Sequence, residues 1–191
     1  MTSEERREQR YQRRKAARLK KRQETIGKYD DFERVASLNS LYEAAREASK
    51  GVDWKASVQS YNSLLLFNIS KTRAELLAGK DIRRGFICFD ICERGKLRHI
   101  KSVHFSERVV QKSFCTNILY PTFTRSLIYD NGASQKGKGT QFALDRLTTH
   151  LRRHFRKYGR EGGILLIDFS DYFGNVAHEP LFKIYRQIFT D

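Results

Sequence analysis

Long hydrophobic runs are missing from this sequence. None exceeds four residues, as in Leu64–Phe67 and Ile164–Ile167, whereas a bilayer-spanning helix needs about 20. Neither a transmembrane helix nor a secretory leader is therefore expected. Cysteine is scarce, and its odd count of three suits reduced thiols in a cytoplasmic setting rather than a disulfide framework. Acid is short as well: 22 Asp and Glu face 37 Lys and Arg, a formal net charge of +15 with a pI near 9.9. Such an imbalance calls for a polyanionic partner, and nucleic acid is the commonest. Catalytic signatures are absent too. There is no Gly-x-Ser-x-Gly nucleophile turn. No glutamate stands between His150 and His154, as a zinc-protease helix would need, and Cys88 with Cys92 lacks a second cysteine pair. What remains is 191 residues, 39% hydrophobic and 12% aromatic. That is enough to bury a core, as one compact domain or one lobe of a larger protein.

The chain is read as a basic tail over 1–28, a helical region over 29–85, a mixed segment over 86–160 and a final segment over 161–191. The tail holds little apolar material beyond Tyr11, Ala16, Ala17 and Leu19, and reads as a solvated arm able to engage RNA or DNA. Phe32, Val35, Leu38, Leu41 and Ala45 recur at helical spacing and predict a helix over 31–49. Gly51 ends it, and one or two more helices follow from Trp54 to Ala78, ending at Gly79. Alternation over Phe86–Cys92, the turn Glu93-Arg94-Gly95-Lys96 and a return strand over Leu97–His104 predict a β-hairpin with a basic tip. A helix capped by Ser106, with Val110, Phe114 and Ile118 inward, should end before Pro121. Next come a Gly-rich loop over 130–139 and a helix capped by Thr140 and running to Tyr158. Ala143, Leu147, Leu151, Phe155 and Tyr158 are expected inward, with Arg146, His150, Arg153 and Lys157 as a basic stripe. Ile164–Ile167 predicts a short buried strand and Leu181–Phe189 a closing helix. The class is α+β.

Chemistry concentrates where that apolar strand delivers Asp168 at its C-terminal end, a position that gathers ligands in sheet proteins and suits Mg²⁺. A turn-capping role for Asp168 or Asp171 is the competing reading. Gly132 to Lys138 also fits a phosphate-cradling loop up to its lysine, but Gly139 stands where Ser or Thr should meet Mg²⁺. A nucleotide triphosphatase is thus a minor alternative.

Taken in order, these pieces resemble prokaryotic reverse transcriptases. Glu93 to Ile100 followed by Phe105 to Gln111 is similar to that family's basic fingers hairpin and the helix after it. Leu119-Tyr120-Pro121 continues the match. Gly137-Lys138-Gly139-Thr140 looks like a loop of the retroelement enzymes that diversify phage and bacterial genes. Asp168 to Phe173, with Asn175, His178 and Leu181, is similar to the first palm motif, and Leu41 to Ala45 with Gly51 to the N-terminal region. The resemblance covers roughly residues 38–185.

The resemblance implies an RNA-directed DNA polymerase that copies an RNA template from a DNA primer with dNTPs and two Mg²⁺ ions. It assigns Asp168 and the Phe169 carbonyl to metal, Arg98 and Lys96 to the triphosphate, and the Asp171 and Tyr172 amides likewise. Phe173 matches the aromatic gate against a 2′-hydroxyl. Arg108 and Gln111 fall to fingers support or template contact. Lys136, Lys138, Arg146 and Arg153 are candidate nucleic-acid contacts from charge and position. The family's second palm motif, aromatic-x-Asp-Asp, does not occur before Asp191, and the only adjacent Asp pair is Asp30-Asp31. The expectation is fingers plus the start of a palm, inactive as an isolated chain. A non-catalytic RNA- or DNA-binding module is the alternative.

Overall fold

A computed structural model describes residues 2–189. The chain is mixed helix and strand, and it forms two compact units, 1–122 and 123–191. The division falls inside the segment 86–160 that the sequence reading keeps together. No described helix is long and apolar enough to cross a membrane.

The first unit opens with α1 (Ser3–Tyr29), started by a capping box in which Thr2 and Glu5 bond each other's backbone. None of its residues is buried. The expected helix over 31–49 is two helices, α2 (Phe32–Ala36) and α3 (Leu38–Ser49). Ser37 breaks it: its backbone is extended (ψ 145°) and its hydroxyl accepts from the Ser40 N–H at 3.2 Å. A serine capping the next turn outcompetes continuation of the helix. The break rotates the stripe, so Phe32 and Leu38 are each 49% exposed while Val35, Ala36, Leu41, Ala44 and Ala45 are buried. Helices α4 (Ala56–Ser63) and α5 (Leu65–Leu77) follow. Gly51 and Gly79 close α3 and α5 with positive φ, as read from sequence.

Strands β1 (Phe86–Glu93) and β2 (Lys96–Val103) form the antiparallel hairpin, with Phe86 opposite Val103 and Glu93 opposite Lys96. Arg94 and Gly95 both have positive φ (51° and 77°), which matches the two-residue turn whose twist suits a hairpin. Helix α6 (Phe105–Phe114) begins at His104, which makes no side-chain cap. Ser106 lies inside the first turn and is not the cap. The fully buried face is Phe105, Val109 and Ser113; Val110 packs partly buried against the core, Phe114 is exposed, and Ile118 is buried as expected. Nor does the helical backbone stop before Pro121. A π-helical turn over Cys115–Leu119 leads into α7 (Tyr120–Phe123), and the wider ring (Tyr120 N–H to Cys115 O) shifts the register ahead of the proline.

Leu41, Ala44, Ala45, Val58, Ile69, Phe105 and Val109 make the core of this unit. Two buried polar bonds lock it. The Ser113 hydroxyl, fully buried, donates to the Val35 carbonyl at 2.8 Å across 78 residues of sequence. It satisfies an end-of-helix carbonyl that the short α2 leaves over. Glu107, 8% exposed, accepts from the Arg84 N–H at 2.8 Å and fixes the chain where it enters the hairpin.

In the second unit α8 spans Thr140–Tyr158 and α9 His178–Ile188. Gly139, not Thr140, is the N-cap, and no side-chain cap is made. The apolar stripe of α8 is exposed, Leu147 and Leu151 at 47% and 43%. Residues 164–167 are not a strand: Leu165 and Leu166 are 83% and 91% exposed. A strand exists only through pairing, and among the described residues the one sheet is the β1–β2 hairpin.

Candidate nucleic-acid interface

Three basic surfaces carry the candidate residues. The first is α1. Between Glu8 and Glu24 it has eight Lys or Arg and no carboxylate, over about 22 Å of helix at 1.5 Å per residue. Arg7, Arg10, Arg14, Lys15 and Arg18 share one face with Tyr11 and Leu19. Like charges at this spacing repel one another, so a phosphate backbone along the face relieves them.

The second surface is the hairpin tip. In the observed register Arg98 stands opposite Ile91 and Lys96 opposite Glu93. Lys96 and Arg98 therefore share a face with Ile87, Phe89 and Ile91, because residues directly opposite in an antiparallel pair point the same way. Arg98 pairs with Glu93 at 3.5 Å in an exposed contact that holds it weakly. Behind the hairpin, Arg108 is partly buried on α6 and Gln111 is exposed.

The third surface joins the Gly-rich loop to α8. Asp130 accepts from Arg146 Nε at 2.5 Å and from His150 Nε2 at 2.6 Å. Lys138 donates to the Tyr129 carbonyl at 2.7 Å, its ammonium 4.9 Å from both the Tyr129 and Phe142 ring centres. Arg146 lies 5.0 Å over Tyr129. Gly132 fits because a Cβ there would sit 3.3 Å from that of Ala143. The loop is thus folded down on its own helix by cations. The basic stripe on α8 is divided as a result: Arg146 and His150 answer Asp130, Lys157 lies 4.8 Å from the Tyr158 ring centre, and Arg153 is exposed, as is Lys136 in the loop. Sequence reading missed Asp130 as the organiser, though an acid just ahead of a Gly-rich loop and a helix with two cations four residues apart was a usable signal.

The Arg146 guanidinium, and after it His150, holds the Asp130 carboxyl below the usual carboxylate range. A depressed acid contributes stability that is present above its ordinary value near 3.9 and is lost as pH falls through the lowered one. Hydrogen-exchange protection over 129–139, taken relative to the intrinsic rate at each pH, should therefore fall on acidification below about pH 4. Asp130→Asn should exchange rapidly already at neutral pH and lose that acid transition; a variant protected like the native chain would disprove the clamp.

Residues 168–175 are fully on the surface. Asp168 is exposed, and Phe169 and Phe173 are 70% and 90% exposed. Asp171 takes a left-handed φ of 46°, and its carbonyl accepts from both the backbone and the side chain of Asn175. Tyr172 bridges the two phenylalanines, with ring centres 6.2 and 5.3 Å away. Mg²⁺ demands near-octahedral oxygen coordination. Asp168 with the Phe169 carbonyl falls short of that, and the described residues hold no cluster of three or more acidic, His or Cys side chains poised for a metal. No family model matches the chain, and no curated protein matches it.

Proposed function

We propose that this chain is the nucleic-acid- and nucleotide-binding front of an RNA-directed DNA polymerase, its fingers and first palm segment, probed by RNA template, DNA primer and dNTP. The observation that supports this most is the hairpin: a basic tip on a two-residue turn, followed directly by a helix that docks on the core through Phe105 and Val109. That order of elements is what the reverse-transcriptase resemblance implies for Lys96, Arg98, Arg108 and Gln111. Arg98 offers a planar guanidinium suited to phosphate oxygens, Lys96 a second cation, and Phe173 an exposed ring for the sugar. The Asp171 and Tyr172 amides are assigned to the triphosphate, and Asp168 to the reacting end. Asp168 and the Phe169 carbonyl supply only part of a Mg²⁺ coordination set, so no chemical step is assigned to them.

The test is ultraviolet cross-linking of radiolabelled dTTP to the chain on an RNA template with a DNA primer. Arg98→Gln should reduce the dTTP adduct at least about fivefold, on the scale of a lost charge-assisted hydrogen bond. Asp168→Ala should leave RNA affinity within about twofold, because an exposed acid lends nothing to phosphate contact. RNA binding with no nucleotide adduct would instead establish a non-catalytic binding module. The triphosphatase alternative gains nothing from the geometry, since Lys138 is engaged with Tyr129 and Phe142.

A further inference from the structure

An open cleft of about 540 Å³ lies in the first unit between the hairpin root and α4, α5 and α6, within the size range of small-ligand sites. Lys55, Lys71, Arg84 and Arg108 line it, and no carboxylate does. The nearest acid, Glu107, is buried and accepts from the Arg84 backbone N–H, so it does not cover the cations. Phe89, 46% exposed, supplies an aromatic wall. The Tyr61 ring and Thr72, also in the lining, close the inner wall. Four cations lining one cleft without an acid repel each other. A phosphate ester beside a planar base answers both features: anion for the cations, ring for Phe89.

We propose that this cleft binds a nucleotide unit, its phosphate held by Lys71, Arg84 and Arg108 and its base laid on Phe89. The phosphate end of the site lies away from the hairpin tip, while Phe89 stands opposite Ile100, two residues from Arg98 on the same face. Ser102 lines the cleft, and Lys96 stands six residues further back along β2, about 20 Å at 3.3 Å per residue. The proposal does not depend on the polymerase reading, because its evidence is charge, shape and an aromatic wall in one unit. The nucleotide unit comes either from a single strand passing through the open cleft or from a free nucleotide, and competition separates these sources.

The experiment measures binding of a fluorescein-labelled 12-nucleotide uridine RNA to the full chain by anisotropy, across a salt series. The pair Lys71→Gln with Arg84→Gln is compared with the charge-matched pair Arg73→Gln with Lys80→Gln, whose positions are exposed and outside the cleft. Single-strand binding carries a log–log salt slope near −0.7 per phosphate. The cleft pair should flatten the slope by about 1.4 and weaken binding about 25-fold at 0.1 M salt. The control pair should change affinity less than about threefold, and both should melt like the native chain by circular dichroism. Phe89→Leu, which keeps an apolar wall without a ring, should weaken binding about fivefold or more, the scale of one lost base–aromatic stack. Equal losses in the two charge pairs, or no loss in the cleft pair, would overturn the site. Displacement of the RNA by ATP at comparable concentration, lost in the cleft pair, identifies a free nucleotide as the source. Failure of ATP to displace it identifies the strand.

Discussion

Leu41→Ala should lower the stability of the first unit by about 2–5 kcal/mol, the cost of removing a fully enclosed leucine and leaving a cavity. Leu41 has no exposed surface and sits among Ala44, Ala45, Val58, Ile69, Phe105 and Val109, side chains from α3 to α6. Two of those neighbours are alanines, whose short side chains cannot swing in to fill the void. Domains of this size are held by roughly 5–15 kcal/mol in total, so the change removes a large share. With a urea slope of about 1–3 kcal/mol per molar, the unfolding midpoint followed by circular dichroism should fall by about 1–2 M. Leu38→Ala supplies the contrast. It is the same substitution three residues earlier on the same helix, at a position 49% exposed, and should cost under about 1 kcal/mol. Equal losses at the two positions would mean that Ser37 does not reset the helix face.

The second large effect concerns α1. Replacing Arg10, Arg14, Lys15 and Arg18 with glutamine keeps strong helix formers in place and removes four cations from one face. If each meets a phosphate, the salt slope for single-stranded RNA should flatten by about 2.8 and affinity at 0.1 M salt should fall several hundredfold. Thermal melting of the first unit should not change, since no α1 residue is buried. An unaltered slope would remove the arm from the interface and leave binding to the hairpin, the root cleft and α8. A loss confined to affinity, with the slope intact, would point to altered folding rather than lost phosphate contact.

The candidate site was legible wherever its signal was local. The turn at Arg94-Gly95 followed from Gly95 and the polar run around it, and with it came the strands, the basic tip and the positions of Lys96 and Arg98. Charge marked α1 without any need for coordinates. The clamp on the Gly-rich loop was less visible, because Asp130, Arg146 and His150 are 16 to 20 residues apart. The cleft lining gathers side chains from Lys55 to Arg108, and no periodicity along the chain relates Lys71 to Arg84.

By itself the sequence determined the things that act over a few residues: the helix stops at Gly51 and Gly79, the hairpin and its turn, the run of cations free of acid, and the mixed class. Only tertiary structure decided which face each element turns inward. Ser37 split one helix into two and exposed Leu38. Val109 is enclosed in the core while Val110 packs at its edge, and a buried Glu107 tied the hairpin's entry. The apolar Ile164–Ile167 shows the limit most clearly. Its composition favours a strand, but a strand's backbone groups are satisfied only by a neighbour, and the described residues provide none. Capping and turn chemistry are settled by covalently nearby atoms, whereas burial and strand pairing are settled by whatever the rest of the chain brings alongside.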